Sequence, residues 1–330
     1  MKLVTCLLVM MAPLLAQVKV TEKADRISVD INGKPFTEFF VSGPEVTKPY
    51  LHPLRAASGT IVTRAYPMSK VEGESTDHPH HRGLWFSHDD VNGIAFWLNE
   101  VTEAGDKKGK IVFKKAAVKS GGDSGSIRAN FDWNDPQGKT VLTETRTMVF
   151  YADPTLRTID VDIDLHALGE AVKFGDTKEG TFAIRLAAGL EEPAKNSLPS
   201  PKRTGLMVNS EGAKGEKDVW GKRANWVDYY GELNGEKVGI AIFDHPENPK
   251  HPTYWHSRSY GLFAANPFGE RDFYNDKSRD GSITIEPGKN LRFRYRVIIH
   301  PGDTGSANIA GLWEKYSTAP APPAIDSRRK

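Results

Sequence analysis

Apolar and polar residues alternate with a period of two along much of the chain. The clearest run is 156–166, where Ile159, Val161, Ile163 and Leu165 alternate with Asp160, Asp162, Asp164 and His166. Successive side chains of a strand point to opposite faces, so this run predicts a strand with one face in a core and one in water. Residues 110–119, 126–133 and 140–151 read the same way, with turn chemistry between them at Gly121-Gly122, Asp135-Pro136 and Asp153-Pro154. Strands are also predicted over 26–30 and 35–41, joined at Asn32-Gly33, and over 60–65, 180–187 and 238–243. Residues 282–286 and 291–300 are predicted to pair around Pro287-Gly288. Only 306–316 reads as helix, with Ser306 as its N-cap. Strands recurring every roughly 8–12 residues with no helix between them predict an all-β fold, a large antiparallel β-sandwich with one short C-terminal helix.

Residues 191–216 are rich in Pro, Lys, Gly and Ser and read as a long loop or a domain edge. A single domain over 17–318 is the preferred division, since large sandwiches reach this size. Lys2 followed by an apolar run to Leu15 reads as an export signal ending near Ala16, which places the protein in a periplasm or outside the cell. Residues 319–330, Pro/Ala-rich and then basic, read as a disordered tail.

Composition narrows the function classes. The formal net charge of 330 residues is only +2, which argues against a nucleic-acid partner held through phosphates. No apolar segment after the signal is long enough to span a membrane. The single cysteine, Cys6, lies within the signal, so disulfides, thiol nucleophiles and thiolate metal sites are not expected.

Two stretches break the strand pattern with mixed aromatic and polar residues. Residues 77–97 (DHPHHRGLWFSHDDVNGIAFW) hold four of the chain's 10 histidines, and 244–271 hold a second such mixture. The reading is that the fold brings them together along one cleft. Three chemistries are open. His78 and His80 share a face of an extended chain, so His78, His80 and His88 are a candidate set for a divalent metal, although no cofactor is required. Asp-His neighbours offer acid–base chemistry, with His81 and His256 as proton-transfer candidates and Asp244 to orient them. Sugar binding would use aromatic faces at Trp85, Trp97, Trp226 and Trp255. Arg82, His88, Asp89, Arg258 and Asn266 would then reach hydroxyls. Each tryptophan alone is as readily explained as core.

The words HPHHRGLWFSHDDVNG (78–93), WGKRANWVDYYG (220–231) and YWHSRSYGLFAANPFG (254–269) resemble an uncharacterised bacterial family of unknown function. Its members often carry the label "methane oxygenase PmoA". That label implies a multi-span membrane subunit, which this sequence does not match, so it reads as a misannotation. More distantly, the order of features is similar to the galactose mutarotase supersandwich. The resemblance implies a carbohydrate partner, Arg64 or Arg82 on ring hydroxyls, His81 in the first histidine's place, Asp244 in the late aspartate's, and 291–300 as the closing strand. The family's general-base glutamate has no counterpart in 261–266, and Glu270 is the nearest carboxylate. The expected function is therefore an exported carbohydrate-active or carbohydrate-binding protein, with epimerisation, hydrolysis or elimination as possible reactions. The alternatives are a glycan binder without turnover and a metal-dependent oxygenase or hydrolase.

Overall fold

A computed structural model describes residues 17–101, 107–194 and 200–321. The export signal expected over 1–16, and residues 322–330 of the tail expected over 319–330, lie outside the described residues. Two eight-stranded antiparallel sheets carry the fold. The first runs in space as β1 (Val18–Glu22), β2 (Arg26–Ile31), β3 (Lys34–Phe40), β4 (Tyr50–His52), β5 (Leu84–His88), β11 (Gly180–Arg185), β16 (Leu262–Asn266) and β15 (Tyr254–Ser257). The second runs as β12 (Leu206–Asn209), β13 (Trp226–Leu233), β14 (Glu236–Asp244), β18 (Asn290–Pro301), β9 (Arg157–Ala167), β8 (Thr140–Tyr151), β7 (Ser124–Asn134) and β6 (Lys110–Lys119). A separate pair joins β10 (Val172–Phe174) to β17 (Ile283–Ile285).

The sheets face each other across one apolar core. Phe36 meets Phe150 at 6.2 Å between ring centroids, Phe39 meets Phe131 at 6.1 Å, and Phe182 stacks on Tyr295 at 4.5 Å. Burial of these rings is the main stabilising term of such a sandwich. The alternating runs form the strands they predict, and Asn32 and Gly33 take φ of 52° and 73°, the left-handed pair that a two-residue hairpin needs.

Five expectations are corrected. Residues 60–65 form no strand; they make only the isolated bridges Arg55–Ile61 and Thr63–Leu186. Within 191–216, Leu206–Asn209 is a strand, because it adds to the edge of β13. Ile283–Ile285 pairs with β10 instead of folding back on β18, since the Gly288 amide docks on the Ala167 and Leu168 carbonyls at the end of β9. The aspartate face of β9 is only partly in water: Asp164 and His166 are half-buried, while Asp160 and Asp162 are 7% and 8% exposed, covered by Arg296 and Arg292 of β18. The C-terminal helix, α3 (Ile309–Ser317), starts at Asn308, and the Ser306 hydroxyl bonds Asp303 instead. Two one-turn helices, α1 (Glu216–Val219) and α2 (Glu270–Tyr274), were not expected.

Two polar groupings are buried in the second sheet. Glu144 and Arg146 point from β8 into the core, where the Arg146 guanidinium lies 5.5–5.9 Å from the ring centroids of Phe39, Phe86 and Phe131. On β18, the His300 Nε2 atom lies 2.9 Å from Asp228 Oδ1, and Thr304 donates its hydroxyl to Asp228 Oδ2 at 2.6 Å. Burial disfavours the His300 imidazolium, but Asp228 outweighs it and the pKa is raised. A raised folded pKa stabilises fully below the unfolded value near 6.5, and that contribution is lost as pH rises through the folded value. The stability gap between the native chain and His300→Gln will therefore be wider at pH 6 than at pH 9 in urea titrations. A gap narrower at pH 6 than at pH 9 would show that His300 stays neutral in the fold.

Candidate functional site

The two mixed stretches meet, with β11 between them. On β5, Leu84, Phe86 and His88 face the core, while Trp85 and Ser87 face outward. On β11, Thr181, Ala183 and Arg185 take the outward side, and on β16 and β15 it is taken by Leu262, Ala264 and His256. Trp85, Trp97, Tyr50, Ala183, Leu262 and Ala264 form a second apolar cluster on this outer face, apart from the core. The loop 77–83 lies over it. Gly83 holds the loop down: its φ is +53°, and a Cβ there would sit 2.1 Å from the Leu51 carbonyl oxygen.

Four rings then stack from the surface inward. Tyr260 lies 5.5 Å from His78, His78 lies 4.8 Å from His81, and His81 lies 5.3 Å from Trp85, each pair near parallel. Trp97 closes the inner end, 5.0 Å from Trp85 and 5.9 Å from His81. Two fully buried arginines flank the stack. Arg64 Nη1 and Arg185 Nη2 both donate to Asp77 Oδ1, at 2.7 and 3.1 Å, and the other Asp77 oxygen lies 3.1 Å from His78 Nδ1. Burial works against the Asp77 carboxylate, but His78 and the two arginines outweigh it and hold its pKa well below the usual range. Burial, and then the Arg185 charge, lower the Arg64 pKa to about 10.

Both central histidines have a fixed tautomer. Arg185 Nη1 lies 3.1 Å from His81 Nδ1, and a guanidinium can only donate, so Nδ1 accepts and the proton sits on Nε2. Trp220 Nε1 lies 2.9 Å from His256 Nδ1, and an indole N–H also only donates, so His256 carries its proton on Nε2 as well. Burial, then the nearby charges of His80 and Arg185, drive the His81 pKa well down. Burial, then Arg258, Lys178 and His78, lower His256 to about 3. Both rings are neutral N–H donors at neutral pH, a form suited to polarising an oxygen rather than taking a proton. Burial raises the Tyr260 pKa, Arg185 and Arg258 pull it back, and Glu179 and Asp77 add to the rise, which sets these charges around one ring.

Of the candidates, His81, Arg64, Trp85 and Trp97 come together here, and His256 lies further along the same sheet face against Trp220 and Phe273. Arg258 sits at the rim, 5.9 Å from the Trp220 ring centroid and 5.6 Å from that of Tyr260. The rest are taken up by other partners. Arg82 makes a bidentate pair with buried Glu100 at 2.8 and 2.6 Å. Asp89 accepts the Leu98 amide, and Asn266 is held by the Thr177 and Lys178 carbonyls and the Phe268 amide. Trp255 is core and bonds the Ala224 carbonyl; Trp226 lies under α3 on the other sheet. Asp244 is also on that other sheet, with its carboxylate filled by Asn248, His251 and the Thr253 amide, so it orders the 245–253 loop instead of orienting His81.

The metal set is corrected too. His78 and His80 are 5.6 Å apart between centroids, but His88 faces the core, bonded to the Gly175 carbonyl and packed on Phe268. Among the described residues, no three His, Cys, Asp or Glu side chains are grouped to hold a metal ion. Sequence reading missed Arg185, Tyr260 and Glu179. Arg185 was open to notice, since an arginine closing an apolar strand (GTFAIR) demands a partner.

Among the described residues no helix is long and apolar enough to cross a membrane. No curated protein matches the sequence. Among solved structures the chain is similar to an α-galactosidase from Lactobacillus brevis, at 9% identity and TM-score 0.38 over 88% of this chain and 40% of that one. It is similar to the α-galactosidase AgaA from Geobacillus stearothermophilus at 10% identity and TM-score 0.37, over 87% and 40% of the two chains. A galactose mutarotase-like protein from Lactobacillus casei matches at 9% identity and TM-score 0.35, over 86% of this chain and all of that one. The chain spans 40% of the length of those α-galactosidases. A family model described only as a family of unknown function, with no methane-oxygenase label, matches residues 26–314. The chain therefore belongs to the DUF6807 family.

Proposed function

We propose that the outer face of the first sheet binds a carbohydrate, in a protein exported from its cell. The observation that carries this reading is a pair of histidines on one sheet face fixed as neutral N–H donors, His81 within the aromatic stack and His256 against Trp220. Sugars present C–H faces that pack on rings and oxygens that take fixed donors. Partly exposed Tyr260 and Trp220, with Arg258 between them, form the rim. The basic start and apolar run before residue 16 support export.

The same donors favour binding over histidine acid–base chemistry. A ring whose Nδ1 already accepts from a guanidinium or an indole has no free lone pair with which to remove a proton. A reaction at this site would draw its base from Glu179, which pairs with Lys178 at 3.2 Å, because Asp77 is already held by two arginines. The test is a calorimetric screen of neutral and acidic mono- and oligosaccharides against the native chain and Tyr260→Ala. We expect saturable binding that weakens at least tenfold in the variant, with product analysis of every bound glycan. Absence of binding to any sugar would remove the reading.

A further inference from the structure

Resting on the sugar reading, we propose that the bound sugar is acidic, with its carboxylate seated on the N–H groups of His81, Trp85 and Trp97. These three side chains are in mutual ring contact and are no more than 1% exposed. Their donors, His81 Nε2, Trp85 Nε1 and Trp97 Nε1, are all buried without a hydrogen-bond partner. Folded proteins leave few buried polar groups unpaired, and three in one contact cluster mark a place where a partner belongs. Beside them on the same sheet face, Ser87 and Thr181 are register partners whose hydroxyls are also unpaired.

The chemistry of the missing partner follows from the donors. The three N–H groups cannot accept. A sugar hydroxyl seated there would have its own proton to place, and would need an acceptor such as the Ser87 or Thr181 oxygen as well. A carboxylate brings about four lone-pair sites and no proton, so it can accept from all three. Two guanidiniums stand nearby: Arg64 and Arg185 both hydrogen-bond Asp77, with Glu74 and Glu191 also within their field, and Arg185 reaches His81 directly, so the pull on an anion comes from these oriented donors rather than from a net charge. The partner class is therefore a uronic acid or a chain containing one.

The test uses the full chain with D-galacturonate and D-glucuronate, their methyl esters, and galactose and glucose, by calorimetry at low and at physiological salt. We expect an acid to bind at least tenfold tighter than its ester and its neutral counterpart, with the preference shrinking as salt rises. Trp97→Phe, which keeps a ring and removes one donor, will erase most of that preference, read as the ratio of acid to ester affinity within the same variant. Trp85→Phe serves the same purpose if Trp97→Phe does not fold. Equal binding of acid and ester, or an acid preference undiminished in both variants, would overturn the carboxylate seat while leaving the sugar reading in place. If no sugar of either kind binds, both fall.

Discussion

Glu144→Ala will lower the stability of the fold by roughly 3–5 kcal/mol, a large share of the roughly 5–15 kcal/mol that holds a domain of ordinary size together. The reason is what the carboxylate leaves behind. Glu144 Oε1 accepts from Arg146 Nε at 2.6 Å, and Oε2 accepts from Trp133 Nε1 at 2.8 Å. Glu144 and Arg146 are 1% and 3% exposed. Without Glu144, a guanidinium stands uncompensated among Phe39, Phe86 and Phe131, and an indole N–H loses its partner. Ring faces attract a cation, but far less than a carboxylate in a dry interior. The double variant Glu144→Leu/Arg146→Met will recover most of the loss, because it removes the stranded charge along with its partner. Urea unfolding of the three chains, at matched denaturant slopes, checks this. A single variant costing less than about 1 kcal/mol would show that water reaches Arg146.

The same pair shows where sequence reading stops. Period-two alternation placed β6 to β9 and β18 nearly to the residue, because core-facing positions must be apolar and turns need Gly, Pro and Asp. Glu144 and Arg146 occupy core-facing positions of β8, so they weaken that pattern and draw no notice in one dimension. β9 illustrates the converse. Its aspartates look solvated in sequence, and only the arginines of β18, more than 120 residues away in the chain, reveal them as paired. Pairing across a sheet depends on register, which no local signal carries.

Candidate residues sort by the same logic. The aromatic-polar density of 77–97 did mark the outer face, because five strands bring their outward positions together there. Within it, neighbours in sequence separate in space: Trp85 faces outward and His88, three residues on, faces the core. Asp244-His245 resembles a catalytic pair in sequence, yet the Asp244 carboxylate is spent on a loop. Arg185 drew no attention because its partners, Asp77 and His81, are over 100 residues upstream.

Arg185 is also where the largest functional effect is expected. Arg185→Met will free His81 Nδ1, leave Asp77 with one guanidinium, and remove the cation that lies 4.6 Å from the Tyr260 ring centroid. In the native chain, nitrogen NMR of His81 will show one neutral tautomer, protonated at Nε2, from pH 5 to pH 8. In the variant both tautomers will be populated. The His81 pKa will also rise, because a neighbouring positive charge that lowers it is gone, although burial, the larger cause, will still hold it below its ordinary value. Affinity for an acidic sugar will fall by roughly ten- to a hundredfold, the scale of one charge-assisted hydrogen bond of about 1.5–3 kcal/mol. Arg185→Lys separates the two causes. It keeps the charge but not the planar fork, so it cannot serve His81 and Asp77 together, and it will restore salt-dependent affinity while leaving the tautomers mixed. A native His81 found protonated at Nδ1, or as imidazolium at pH 7, would sink the donor assignment, since no guanidinium can face that proton at 3.1 Å.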